Sequence, residues 1–429
     1  MAGDSARGQR GRGTTRRTFL ARSGALALGG LLGGAFALPR AAHALGPLAD
    51  RIGPLGPPDQ NGLRLPPGFR SRIIGVSQEI VPGTAYRWHT FPDGGATFPT
   101  FDLLTGAPDG GWVYVSNSEA LGGATGGGVG AVAFDSAGRI VDAYPILTGT
   151  AINCAGGATP WNTWLSCEEH PAGHVWECDP FLPSQGVIRP ALGTFSHEAA
   201  AVDPAHRHVY LTEDQGDSLL YRFTPSNPDL PSGALDLSVG ALEAAQILDA
   251  GPIQPGEVRP LAWHAVPLPN PQNGNPETRY QVPDATPFDG GEGCFFHDGL
   301  VYFTTKGDDR VWFIDTLNDT IQIVYDRPTS PNKILNGLDN VWISTLGDIF
   351  VAEDGDDMQI NVFQPGGRMA PVVQAQETRS PMPEIGGASE ITGPALSPDG
   401  RRLYFSSQRG DAGNNSYSGV TYEVYGPFV

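Results

Sequence analysis

Acids recur at one kind of place in this 429-residue chain. Six short segments alternate aliphatic and aromatic residues and then turn polar: VYVSNSE (113–119), TWLSCEE (163–169), VYLTED (209–214), VYFTTKG (301–307), IFVAED (349–354) and LYFSSQR (403–409). A second polar residue precedes five of them at a nearly constant distance. It is 13 residues from Cys154 to Cys167, 15 from Glu198 to Glu213, 13 from Glu292 to Thr305, 14 from Asp339 to Glu353 and 17 from Glu390 to Ser407. If the two places meet in space, Cys154, Glu168, Glu169, Glu198, Glu213, Asp214, Glu292, Asp339, Glu353, Asp354 and Glu390 share one locality. Such a set cannot stay ionised without counter-charge, because each buried ion costs several kcal/mol before repulsion is counted. Metal is the expected counter-charge. Oxygen-rich ligation selects hard cations, Ca2+ first, and a thiolate beside them favours a transition metal. Any one of these acids alone reads as a solvated strand end; the shared register argues for a site.

The elements that must position them are hairpins. A strand enters each of these segments through turn residues such as VDP (202–204), HDG (297–299), LGD (346–348) and PDG (398–400), with PDGG (108–111) read the same way in the first repeat. In an antiparallel hairpin the first residue of one strand and the last of its partner lie at the same end, away from the turn. A further strand follows each segment, from AVAFD (131–135) to TYEVY (421–425). Repeats of roughly 45–55 residues, with one interval near 90, have the size of four-stranded propeller blades. The expected fold is therefore all-β, a single β-propeller domain of six blades over residues 45–429. The Pro- and Asn-rich stretch 225–290 is read as an insertion between blades three and four, and the acids as a ring around one mouth of the central channel.

Composition agrees and excludes some partners. The 58 Gly and 39 Pro suit a turn-rich β architecture. With 27 basic against 46 acidic residues and a formal charge of −19, neither nucleic acid nor an anionic membrane surface is an expected partner. Residues 1–44 carry a twin arginine in TRRTFL (15–20), an apolar run over 24–38 and AHA at 42–44. These are the parts of a twin-arginine (Tat) export signal, so the Tat translocase is an expected partner and the destination is periplasmic or extracellular. Without that segment 20 basic and 45 acidic residues remain, about −25, with no further membrane span. The mature chain is expected to be a monomer. Four cysteines are too few for a disulfide scaffold, and pairing of Cys167 with Cys178 stays open. No GxSxG nucleophile and no HExxH spacing occurs.

The segments CAGGATPWNTWLSCEEH (154–170), FSHEAAAVDP (195–204), EGCFFHDG (292–299), LDNVWISTLGDIFVAEDG (338–355) and EITGPALSPDG (390–400) resemble, in order, the PhoX-type alkaline phosphatases. The resemblance covers most of 110–410. It implies a Tat-exported propeller phosphomonoesterase acting on a small phosphoester, with a channel cluster of Fe3+ and Ca2+ and a cysteine thiolate on iron. By resemblance Cys154 is the iron ligand, Glu168, Glu169, Glu213, Glu292 and Glu353 fall at metal-ligand positions, Asp339 and Asn340 form the family's DN pair, and Asn117 is the polar residue near the phosphate. One departure is notable: the family's phosphate-holding Arg, two residues before the fourth-blade Glu, is Gly290 here. Lys306 and Arg409 are the nearest alternative cations, although both read as exposed residues near strand ends. Gly290 keeps open a Ca2+-dependent lactonase or phosphodiesterase, or a non-catalytic metal-stabilised binding propeller.

Overall fold

The computed structural model describes residues 46–429 except 103, 123–125, 184–185, 250, 273, 356, 376–388 and 411–418. The export signal expected over 1–44 lies outside the described residues. Strands alternate with tight turns throughout, and among the described residues the antiparallel sheets comprise three of four strands, one of five, to which Leu63–Arg64 is added, and one of nine.

Blade one comprises Pro92–Phe101, Pro108–Ser118, Gly127–Phe134 and Ile140–Thr150. Blade two follows with Asn153–Ala158, Trp164–Glu168, Val175–Cys178 and Val187–Ile188, and blade three with His197–Asp203, His208–Glu213, Tyr221–Pro225 and Gly240–Ile247. Blade four is Gly291–His297, Leu300–Thr305, Arg310–Asp315 and Thr320–Asp326; blade five is Leu338–Ile343, Ile349–Glu353, Gln359–Phe363 and Ala370–Ala375. Blade six takes Ile391–Leu396, Arg402–Ser407 and Val420–Tyr425 from the end of the chain and Arg70–Val76 from near its start. Seating that early strand on the last blade closes the circle. The first strands of neighbouring blades contact one another all the way round, from blade one to blade six and back to one.

The stretch expected as an insertion contributes two strands to the sheets. Gly240–Ile247 is blade three's own outer strand, and Val258–Ala265 pairs with it on one side and with Thr320–Asp326 of blade four on the other. Its irregular composition hid two strands whose alternation is interrupted by Pro260 and by polar residues. The PDGG of blade one is also not a turn: it opens the second strand, and the chain reverses over 102–107.

Period-two alternation gives every blade two apolar faces, and one apolar cluster fills each blade interface. Phe350 and Ile360 of blade five pack on Leu403 and Phe405 of blade six; the next residue along, Tyr404, packs on Trp112 and Phe134 of blade one. Each such aromatic contributes on the order of 1.5–3 kcal/mol by burial. The innermost strands are Gly- and Ala-rich because six of them converge on the axis. A Cβ on Gly293 would overlap the backbone of Asn340 and Val341 in the next blade.

Candidate metal centre at the channel mouth

In all six innermost hairpins the register pairs the start of the first strand with the end of the second. The pairs are Pro92 with Ser118, Asn153 with Glu168, His197 with Glu213, Gly291 with Thr305, Leu338 with Glu353 and Ile391 with Ser407. Just past this end every ladder slips by a β-bulge, a device that re-aims side chains. The residue entering the bulge is Asp93, Cys154, Glu198, Glu292 or Asp339 in blades one to five, and all but the partly buried Cys154 are buried. One residue beyond the second strand stand Glu119, Glu169, Asp214, Lys306, Asp354 and Gln408. Each donates its backbone N–H to the carbonyl facing it, of Phe91, Ile152, Ser196, Gly290, Gly337 and Glu390 respectively, at 2.8–3.3 Å.

Three groups of ligand atoms come within 4.8 Å of one another: Cys154 with Glu169 and Glu198; Glu198 with Glu292 and Asp339; Asp93 with Glu119 and Glu390. Glu198 belongs to two of them. Its carboxylate is wholly buried, and neither oxygen has a hydrogen-bond partner among the described residues. An unpartnered buried carboxylate is costly, so the donor set fits a cation. Burial raises the carboxyls of Asp93, Glu198 and Asp339 well above their usual range, and their acidic neighbours add to it. Burial also pushes Glu292 and Glu390 up to about 8. The Cys154 thiol is raised by burial and then by Asp93 and Glu198.

Several expected ligands are placed elsewhere. Glu168 accepts from Ala151 N (3.2 Å), His174 N (3.2 Å) and Trp176 Nε1 (3.0 Å). Glu213 accepts from Tyr221 OH (2.9 Å), Leu219 N (3.3 Å) and Arg279 Nη1 (3.1 Å). Glu353 accepts from Asn336 N (3.2 Å), Gln359 N (3.1 Å) and Asn361 Nδ2 (3.1 Å). All three are taken up by donors around their own strand end, including the connections before blades two and five and Arg279 from the segment before blade four, because neighbours along a strand point to opposite faces and it is the following residue that turns to the axis. Asp214 and Asp354 do reach the mouth, but they flank Lys306 and join none of the three groups. Asn340 supports rather than ligates: its Nδ2 donates to Asp339 Oδ1 (2.7 Å) and its Oδ1 accepts from Gly393 N (2.5 Å).

Asn117 has no free group to offer a phosphate. It is fully buried; its Nδ2 donates to the carbonyls of Cys154 (3.0 Å) and Ala155 (2.7 Å), and its Oδ1 accepts from Trp164 Nε1 (2.9 Å) and Ser166 Oγ (3.0 Å). It holds the bulge that presents Cys154. His197 is likewise packed, stacked on Phe195 and hydrogen-bonded at 3.1 Å to the Gly193 carbonyl. The four cysteines are free thiols.

Asp93 and Glu119 escaped the sequence reading. Glu119 ends the first polar segment, but Asp93 lies 26 residues before it. Blade one has strands of 10 and 11 residues, so the shorter spacing of the other hairpins did not apply. Lys306 and Arg409 are not exposed strand-end residues either: both are partly buried and ion-paired to the ring.

The fold and the site together define a six-bladed propeller with an acid- and thiol-lined candidate metal centre in its channel. The sequence profile of alkaline phosphatase PhoX matches residues 122–172, 170–322 and 313–411. The chain belongs to the PhoX alkaline phosphatase family and is an enzyme of the phosphatase class. Among solved structures it is similar to Pseudomonas fluorescens PhoX in complex with vanadate, a transition-state analogue, at 17% identity and a TM-score of 0.64 over 87% of this chain and 97% of that one. The gluconolactonase XC5397 of Xanthomonas campestris aligns at 12% identity and a TM-score of 0.43, over 88% and 98% of the two chains. No curated protein sequence matches the chain. Among the described residues no helix is long and apolar enough to cross a membrane.

Proposed function

We propose that the protein is an exported phosphomonoesterase whose channel mouth holds iron and calcium. The observation that carries this reading is the convergence of three ligand groups on Glu198 and its neighbours in a chain of a phosphatase family. The Cys154–Glu169–Glu198 group, with its sulfur, suits Fe3+; the two all-carboxylate groups suit Ca2+. Bound there, the ions supply Lewis-acid polarisation of the phosphoryl group and a nucleophilic oxygen at alkaline pH.

The chain's own residues do the rest. Asn117 fixes the Cys154 bulge, and Asn340 orients the Asp339 carboxylate. Below the ring the channel is walled by the small and apolar residues Ala155, Ala199, Phe295 and Trp342. The Tat signal, the periplasmic or extracellular destination and the monomeric state belong to the same proposal.

The test is hydrolysis of p-nitrophenyl phosphate by metal-replete mature protein beside a Cys154→Ala control. Turnover that depends on Cys154, with iron and calcium found by elemental analysis, is the expected result. Cleavage no faster than the control, or a preference for diesters or lactones, overturns the reading.

A further inference from the structure

The six ring positions are not chemically equal, and the exception lies in blade four. Blades one, two, three and five place Glu119, Glu169, Asp214 and Asp354 one residue beyond the second strand, and blade six places Gln408. Blade four places Lys306 there. Its Nζ lies 2.6 Å from Glu292 Oε1, 3.4 Å from Asp354 Oδ2 and 3.5 Å from Asp214 Oδ2. Asp214 and Asp354 belong to the flanking blades three and five, so the ammonium bridges its two neighbours across the rim. Glu292 lies deeper, with its side chain 3% exposed, whereas that of Lys306 is 32% exposed. The ammonium therefore sits on the solvent side of the Glu198–Glu292–Asp339 group.

The residue facing Lys306 across the ladder carries no side chain. Lys306 N–H donates to the Gly290 carbonyl at 2.8 Å. The corresponding residue of blade six is Glu390, whose side chain reaches the ring and joins Asp93 and Glu119. Gly290 places no such acid beside Lys306, and its φ of 70° suits glycine. The other cations near the ring are ion-paired as Lys306 is, Arg279 to Glu213, Asp217 and Glu277 and Arg409 to Glu390 and Glu119, but their side chains are only 13% and 21% exposed against 32% for Lys306.

We propose that Lys306 is the residue that receives the phosphate of the substrate, donating from its ammonium to the phosphoryl oxygens at the rim. An anion approaching a mouth with this many carboxylates needs a positive group ahead of the centre, and a mobile point charge on a four-carbon stem can follow the phosphoryl group as it settles. Asp214, Asp354 and Glu292 together outweigh the single positive charge of the ammonium, so Lys306 would meet a dianion in the metal-loaded protein, where a cation held by the Glu198–Glu292–Asp339 group would draw Glu292 away from it. This inference rests on the phosphatase reading above and adds the residue that recognises the substrate.

The test compares wild type, Lys306→Met and Lys306→Arg as metal-replete mature protein. Inorganic phosphate and vanadate are titrated calorimetrically, KM and kcat are measured with p-nitrophenyl phosphate, and metal per chain is determined by elemental analysis. The expectation for Lys306→Met is unchanged metal content, phosphate and vanadate binding weaker by about 10- to 100-fold, and a rise in KM that exceeds the fall in kcat. Lys306→Arg should recover most of the binding. Wild-type affinity for phosphate in Lys306→Met overturns the proposal, and so does loss of metal from Lys306→Met, which would make the lysine a counter-ion of the cluster. Should that variant not fold, Asp354→Asn frees the ammonium from one partner and is expected to tighten phosphate severalfold; no change or weaker binding there overturns it. Wild type that binds phosphate in a Lys306-dependent way but cleaves no monoester would sink the phosphatase reading alone. Wild type that binds neither anion sinks both.

Discussion

Replacing Glu198 with glutamine should change stability in opposite directions with and without metal. Glu198 is shared by two ligand groups, fully buried and without a hydrogen-bond partner on either oxygen among the described residues. In the metal-loaded protein, Glu198→Gln removes a charged ligand from both groups. The loss of affinity should be no less than the roughly 10- to 100-fold seen when only an outer partner of a ligand is removed. In the metal-free protein the same change removes a buried carboxyl whose neighbours are Glu292, Glu169 and Asp339. Its ionisation in the fold is held above the ordinary range. Its neutral form therefore contributes stability that is fully present below the unfolded carboxyl pKa and is lost as pH rises. The gain from Glu198→Gln should be near zero at pH 5 and on the order of 1–3 kcal/mol at pH 9, the cost of an unsatisfied buried group. For a chain this long that is a few degrees in Tm at most. Thermal melts of chelator-treated and metal-loaded samples at both pH values, with elemental analysis alongside, read all of this. A metal-free Glu198→Gln that melts lower than wild type at pH 9, with metal content intact when loaded, would refute the assignment of Glu198 as a bridging ligand.

The wild-type metal-free protein should itself lose stability between about pH 5 and pH 9. Burial raises Asp93, Glu198 and Asp339, and takes Glu292 and Glu390 to about 8; groups with raised folded pKa values stabilise the fold only while protonated. Melts across that range should slope downward with chelator and flatten with added Ca2+ and Fe3+; a flat chelated profile would count against a charged ring. Glu213→Gln and Glu353→Gln should behave in the opposite way to Glu198→Gln. Each disrupts a carboxyl with three local donors, at a cost of about 1–3 kcal/mol. Metal per chain, measured on the folded fraction, should stay at the wild-type value.

The hairpin repeat and its polar ends were legible because period-two alternation and turn residues are local signals, and those signals recur in every blade. Which of two adjacent acids faces the axis was not legible. Glu168 and Glu169, Glu213 and Asp214, and Glu353 and Asp354 look alike as letters; the bulge and the donors waiting in each blade separate them. Asp93 was hidden by hairpin length, and the closure of blade six by Arg70–Val76 was hidden by distance in sequence. Asn117 illustrates a different limit. A polar residue beside a site can be there to hold backbone, and only its four contacts show that.

The same alternation shows how a propeller can carry so acidic a mouth. Each second strand ends on two polar residues with separate duties, and the donors around them tell which is which. Where the first is a glutamate, in blades two, three and five, three nearby N–H or O–H donors meet its carboxyl, which offsets part of the burial that still raises Glu213 and pushes Glu353 up to about 9. Where it is a hydroxyl, the blade is fastened by a neutral bond. Ser118 Oγ donates to Thr90 O at 2.7 Å, Thr305 Oγ1 accepts from Trp312 Nε1 at 3.0 Å, and Ser407 Oγ lies 2.8 Å from Ser389 Oγ. The blades with hydroxyl fastenings are one, four and six, and two of their three ring residues are Lys306 and Gln408. In blades two, three and five, then, one of the two acids that end the second strand is held by local donors and the other is left to the ring. Glu198, facing the axis without a donor, marks the other extreme. A carboxylate met by its own blade's donors has its place set by the fold, whereas one with none depends on a cation for its stability, and the division between them separates what holds this protein together from what it offers to metal and substrate.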